Sequence, residues 1–199
     1  MKKSLAIIAL TILTLISAFA GTVGEYASTK VTLSLTRQDS YVYGITAEEI
    51  SSKDATIKNV ETLSLNRKAN STELDSATAY VSYIFQEYEG VKLSLSVDGD
   101  MRSKSNSTTI PFTVTVKETA DNFDSSIAAT GTKNATVSGT VTSQKDTETS
   151  VELVKYSTSN IIGDYRWASA ELTVSSTKDL TGVMMDKYKA TITLTATSL

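Results

Sequence analysis

Cysteine and histidine are absent from the 199-residue chain, and proline occurs once, at Pro111. Their absence excludes a Ser-His-Asp or Cys-His catalytic unit, a disulfide, a thiol-linked haem and a zinc site of nitrogen and sulfur ligands. There is also no block of basic residues: 19 Lys and Arg face 22 Asp and Glu, for a formal charge of -3. Such a chain lacks the electrostatic footprint that nucleic acid or an anionic membrane surface selects. Aromatic residues make up only 7%, with a single Trp at position 167.

Hydroxyl side chains take the place of what is missing. The chain carries 27 Ser and 31 Thr, while its apolar fraction of 40% is ordinary. A packed core is therefore feasible, and Thr favours strands over helices. The N-terminus begins with Lys2 and Lys3, continues through the apolar stretch Leu5 to Ala20, and ends Ala18-Phe19-Ala20 before Gly21. A positive end, an apolar run and a small-x-small terminus are the parts of a secretory signal peptide. Sixteen residues fall short of the ~20 needed to span a bilayer. Residues 1–20 are thus expected to be cleaved, leaving residues 21–199 as one domain without a transmembrane span. The expected destination is the periplasm, the cell surface or the extracellular medium.

Beyond that leader, the dominant pattern has a period of two. Val31, Leu33 and Leu35 alternate with hydroxyls, as do Leu93, Leu95 and Val97, and Phe112, Val114 and Val116. Ala168 to Val174 and Ala190 to Ala196 repeat the pattern near the C-terminus. Alternation places one set of residues on a core face and the other in water, the mark of antiparallel sheets with one wet face. Weaker strands at Tyr41 to Ile45, Val60 to Asn66, Ala77 to Phe85, Ala135 to Thr142 and Val151 to Tyr156 bring the total to about nine or ten. The expected fold is all-β, a single Ig-like antiparallel β-sandwich. Short helical pieces are expected at Ala47 to Lys53 and Asp179 to Lys187. Pro111 is expected at the start of its strand or on an edge, because it cannot donate to a ladder.

Few constellations suggest chemistry. Asp98-Gly99-Asp100 opens like a calcium loop, but Arg102, Ser103 and Thr109 stand where such a loop needs its remaining ligands and glycine, so it reads as a turn. The pairs Glu48 with Glu49, Glu87 with Glu89, and Asp121 with Asp124 read as solvated surface, not as carboxylates held across a cleft. No metal or cofactor is expected, and no enzymatic activity. Tyr165 and Trp167 share one strand face, opposite Ala168 and Ala170, and form a candidate platform for a sugar ring. Thr191, Thr193, Thr195 and Thr197 form one hydroxyl row, which reads as a soluble outer face.

Three stretches carry a family resemblance: KVTLSLT at 30–36, VKLSLSV with IPFTVTVK between 91 and 117, and DKYKATITLTATS at 186–198. With the leader and the absence of cysteine, they make the chain resemble the cysteine-free chaperone–usher major pilins of the colonisation-factor type. The resemblance implies a fimbrial subunit active in cell adhesion. Its sandwich would lack one strand, and a neighbouring subunit's N-terminal extension would fill the gap by strand addition. Val31, Leu33 and Leu35 would then be donor side chains, and Tyr188, Ile192 and Leu194 would line the receiving groove. The implied partners are further copies or other surface subunits. The alternative reading is a secreted or periplasmic carbohydrate-binding sandwich module, with a glycan as its partner.

Overall fold

A computed structural model describes residues 28–36, 41–86, 90–124, 134–156 and 165–199. Residues 1–20, read as the leader, lie outside the described residues, as does the pair Glu87 and Glu89. The described residues form thirteen strands and no helix. In chain order these are β1 (Ser28–Thr36), β2 (Tyr41–Thr46), β3 (Thr62–Asn66), β4 (Ala77–Gln86), β5 (Val91–Asp98), β6 (Met101–Arg102) and β7 (Thr109–Ile110). They continue with β8 (Thr113–Ala120), β9 (Asn122–Asp124), β10 (Thr136–Thr142), β11 (Glu148–Tyr156), β12 (Tyr165–Ser175) and β13 (Tyr188–Ser198).

The strands form two sheets. Sheet A runs β11-β5-β13-β1-β3, with β6 attached beside β13 and β7 beside β6; sheet B runs β10-β8-β12-β4-β2, with β9 attached beside β12. Alternation decides which side of each strand faces the partner sheet. Leu93, Leu95 and Val97 of β5, and Ile192, Leu194 and Ala196 of β13, are buried, whereas the Ser and Thr between them are half-exposed. From sheet B come Ala79, Val81, Tyr83 and Phe85 of β4, and Ala168, Ala170, Leu172 and Val174 of β12. These residues form one continuous core. The fold is a β-sandwich, as the alternation predicts.

The strand count exceeds nine or ten because three very short strands sit where the chain changes direction. The run from Ile110 to Val116 reads as one strand, but it is two. β7 pairs with β6 in sheet A and β8 pairs with β10 and β12 in sheet B, so the chain passes between sheets at Pro111. The missing N–H of proline costs nothing at this crossing. The Ser143 hydroxyl takes the next amide, accepting from Phe112 N at 2.8 Å.

The two short helices are also absent. The segment after β2 folds back on the outer face of sheet B instead. The Thr46 hydroxyl donates to the Glu48 carbonyl (2.7 Å), and the Ile50 amide donates to the Ser169 hydroxyl (3.0 Å). Side-chain hydroxyls thus compete with a helical ladder for these backbone groups. Residues 179–187 are turns, with the Thr181 amide donating to the Asp179 carboxylate at 2.7 Å. That bond and its hydroxyl counterpart hold the Asp179 carboxyl below its ordinary range.

One polar network crosses the core. Asp121 has a 0% exposed side chain, so it is not the solvated surface group that its polar neighbourhood suggests. It accepts from Arg166 Nη1 of β12 at 3.0 Å, from the Tyr156 hydroxyl of β11 at 2.8 Å and from the Ala135 amide. The Tyr156 hydroxyl also meets that of Tyr83 of β4, and the Arg166 guanidinium lies 4.5 Å from the centre of the Tyr156 ring. The network ties β11 in sheet A to β4 and β12 in sheet B. Removing one partner of a buried ion pair strands the other charge. Asp121→Ala should therefore cost about 3–5 kcal/mol in urea unfolding, far more than the surface change Glu48→Ala.

Burial, and then the neighbouring Tyr83, pushes the Tyr156 hydroxyl well above the ordinary tyrosine range. Burial also raises Tyr43. A raised folded pKa means that the unfolded chain releases the proton first, so stability is retained below pH 10 and falls as pH rises past it. For Tyr156 the slope approaches about 1.4 kcal/mol per pH unit once the unfolded tyrosine is ionised. Unfolding measured between pH 10 and 11 should show this loss, and Tyr156→Phe should make the slope shallower by one proton.

Candidate functional site

The candidate donor and groove residues meet within one chain. β1 lies between β13 and β3 in sheet A, parallel to β13 and antiparallel to β3. The register sets Leu33 opposite Ile192, Leu35 opposite Leu194, Val31 opposite Ala190 and Thr29 opposite Tyr188. On its other side Val31 faces Leu63. Val31 is fully buried and Leu33 packs partly buried against the core. The side chain of Leu35 lies outside what the structure describes.

The receiving wall is complete. Tyr188, Ile192 and Leu194 are each 0% exposed, and the Tyr188 hydroxyl donates to the Met184 carbonyl at 3.0 Å. Every other ladder between described strands is antiparallel, so β1 against β13 is the one parallel pairing. Parallel pairs are slightly less stable per residue than antiparallel ones. The slot has apolar walls on both sides of β1, one ladder parallel and the other antiparallel.

The second candidate lies on the opposite side of the molecule. Tyr165 and Trp167 sit on the outer face of β12, half-exposed, while Arg166 and Ala168 point inward. Trp167 pairs with Ile84 of β4 on one side and Asn122 of β9 on the other. The Lys53 ammonium lies 5.0 Å above the Tyr165 ring, so the segment after β2 forms one rim of the patch. Beneath that segment a chain of hydroxyls runs from Thr46 to Ser82 (2.8 Å) and on to Ser169 (2.5 Å). The aromatic pair therefore has a polar border on the side of β4. The sequence gives the orientation of the pair through its alternation with Ala168 and Ala170. It gives no sign of Lys53, which reaches the ring only through the fold of a loop.

Asp98-Gly99-Asp100 forms a turn, with Gly99 at φ +64°. Asp100 is buried and accepts from the hydroxyls of Ser143 (2.7 Å) and Thr109 (3.2 Å). These partners, one of them 43 residues away in sequence, take the carboxylate that a calcium loop would present to the ion. Among the described residues no group of three acidic side chains is arranged to hold a metal. Likewise among them, no helix is long and apolar enough to cross a membrane.

Compared with known proteins, the chain matches no protein-family model and no curated protein.

Proposed function

We propose that the protein is an exported, non-enzymatic structural or adhesive subunit of a cell surface, pilin-like, which assembles by β-strand addition. The observation that carries this reading is the slot between β13 and β3. Its occupant is the N-terminal strand, in the one parallel pairing among the described strands. A neighbouring subunit's strand running the other way would offer the same alternating side chains, antiparallel to β13 along the longer ladder and parallel to β3 along the shorter one. β1 joins the rest of the described chain through residues 37–40, which reach at most roughly 14 Å when extended. Exchanged subunits would therefore stand close together.

Size-exclusion chromatography with light scattering tests the proposal on residues 21–199 and on a chain lacking residues 21–37. The longer chain should form oligomers that grow with concentration. The shorter should remain monomeric until a peptide of residues 28–37 stabilises it. A longer chain that stays monomeric at every concentration, with a shorter one that unfolds and is not rescued, would refute assembly through this slot.

A second reading rests on the half-exposed Tyr165 and Trp167 with Lys53 at their rim. It makes the protein a carbohydrate-binding module that stacks a sugar ring on the aromatic pair. On a glycan array, binding that disappears in Trp167→Ala while the melting temperature holds would favour this reading. Binding that survives the substitution would remove the pair from it.

A further inference from the structure

The outer face of sheet A brings together cations that are distant in sequence. Lys189 of β13 is paired with Lys30 of β1 on one side and Arg102 of β6 on the other. Like charges placed directly opposite across a ladder are unfavourable. The fold nevertheless sets Lys189 opposite Arg102 in a chain that is acidic overall. Arg102 is partly compensated by Asp146, 3.2 Å away, and both side chains are open to water. Among the described residues, no carboxylate lies in ion-pair range of Lys189.

A cavity of about 240 Å³ opens at this row, lined by Thr32, Asp98, Asp100, Arg102, Lys189 and Thr191. Its cause is local. β5 pairs with β13 as far as Val97 opposite Ile192, and β6 resumes at Arg102 opposite Lys189. The chain from Val97 to Arg102 is longer than the stretch of β13 that it passes, and it takes up the excess in a turn at Gly99, where φ is +64°. A Cβ on Gly99 would lie 2.5 Å from Arg102 Nη2. The glycine thus lets the guanidinium lie across the turn.

The groups lining this space have distinct chemistry. Asp100 is occupied by Ser143 and Thr109. What remains is the Lys189 ammonium, the Arg102 guanidinium with its exposed partner Asp146, the exposed carboxylate of Asp98, and the half-exposed threonines 32 and 191. A cavity of this size has room for one sugar-sized unit. Cations and hydrogen-bond acceptors side by side suit a molecule that carries both an anionic group and several hydroxyls. The row also leads onto more hydroxyls, with Thr193 facing Ser96 and Thr195 facing Ser94 across the ladder.

We propose that this cavity binds the terminal unit of an acidic glycan, with Lys189 and Arg102 holding its carboxylate and Asp98, Thr32 and Thr191 holding its hydroxyls. Thr193 and Ser96 provide contacts for the next unit along the strand. The site is separate from Tyr165 and Trp167, which lie on sheet B; Thr32 comes from β1, whereas Asp98, Arg102, Lys189 and Thr191 come from strands and turns that strand exchange leaves in place.

The test titrates isotope-labelled protein with glucuronic acid, using glucose and acetate as controls and amide shifts as readout. Glucuronic acid should give saturable shifts at Arg102, Lys189 and Thr191. Its binding should be at least tenfold tighter than that of either control and should weaken with added salt. Lys189→Gln should lower the affinity at least tenfold at an unchanged melting temperature, and Trp167→Ala should leave it unchanged. The proposal is overturned by glucose or acetate binding as well as glucuronic acid, or by Lys189→Gln retaining the affinity. Shifts centred on Tyr165 and Trp167, or no saturable shift at the solubility limit, would overturn it too.

Discussion

Sheet A depends on the backbone pairing of β13. This strand takes β1 along one side and β5, then β6, along the other, so three parts of the chain remote in sequence share one ladder. Its inward residues, Tyr188, Ile192 and Leu194, are fully buried against the other sheet. Its outward residues are almost all threonines, whose β-branched shape suits a strand and whose hydroxyls satisfy the wet face. A chain without disulfides can thus hold a large sandwich together with backbone pairing and a continuous apolar core.

Where residues speak for their own strand, the sequence is legible. Strict alternation identifies β1, β5, β12 and β13, because each has one dry and one wet face. The same alternation turns Tyr165 and Trp167 away from the core. What is missed depends on pairing. Phe112 and Val116 share a period-two run with Ile110, yet the run spans two sheets, and only the partner strands reveal the crossing at Pro111. The strands β6 and β9 are too short to carry any period. Thr191, Thr193 and Thr195 read as a solitary row, but the register sets Thr32, Ser34 and Thr36 beside them on β1 and Ser94 and Ser96 beside them on β5.

Asp121 illustrates a second limit. Its neighbours in sequence are polar, and from them it looks solvated. Its partners are Arg166, Tyr156 and the Ala135 amide, all from other parts of the chain. A buried carboxylate requires such partners to be tolerated, and no local pattern announces them. The pairing of Lys189 with Arg102 is hidden for the same reason: two separate, ordinary surface residues become neighbours only once the strands align.

The partnership of β1 with β13 also has a consequence in time. Synthesis runs from the N-terminus, so β1 is made before the other described strands, whereas its parallel partner is the last of them. Their rungs join Thr29 to Tyr188 and Thr36 to Thr195, among the most distant pairs the chain can form. Closing so long a loop carries an entropic cost that local hairpins avoid, and contacts of this kind slow folding. The antiparallel strands of sheet B can pair before β13 exists. Until then β1 has only β3 as a partner in its sheet and keeps one unsatisfied edge. The order of manufacture thus gives the molecule an interval in which an unpaired edge is on offer to any other chain nearby.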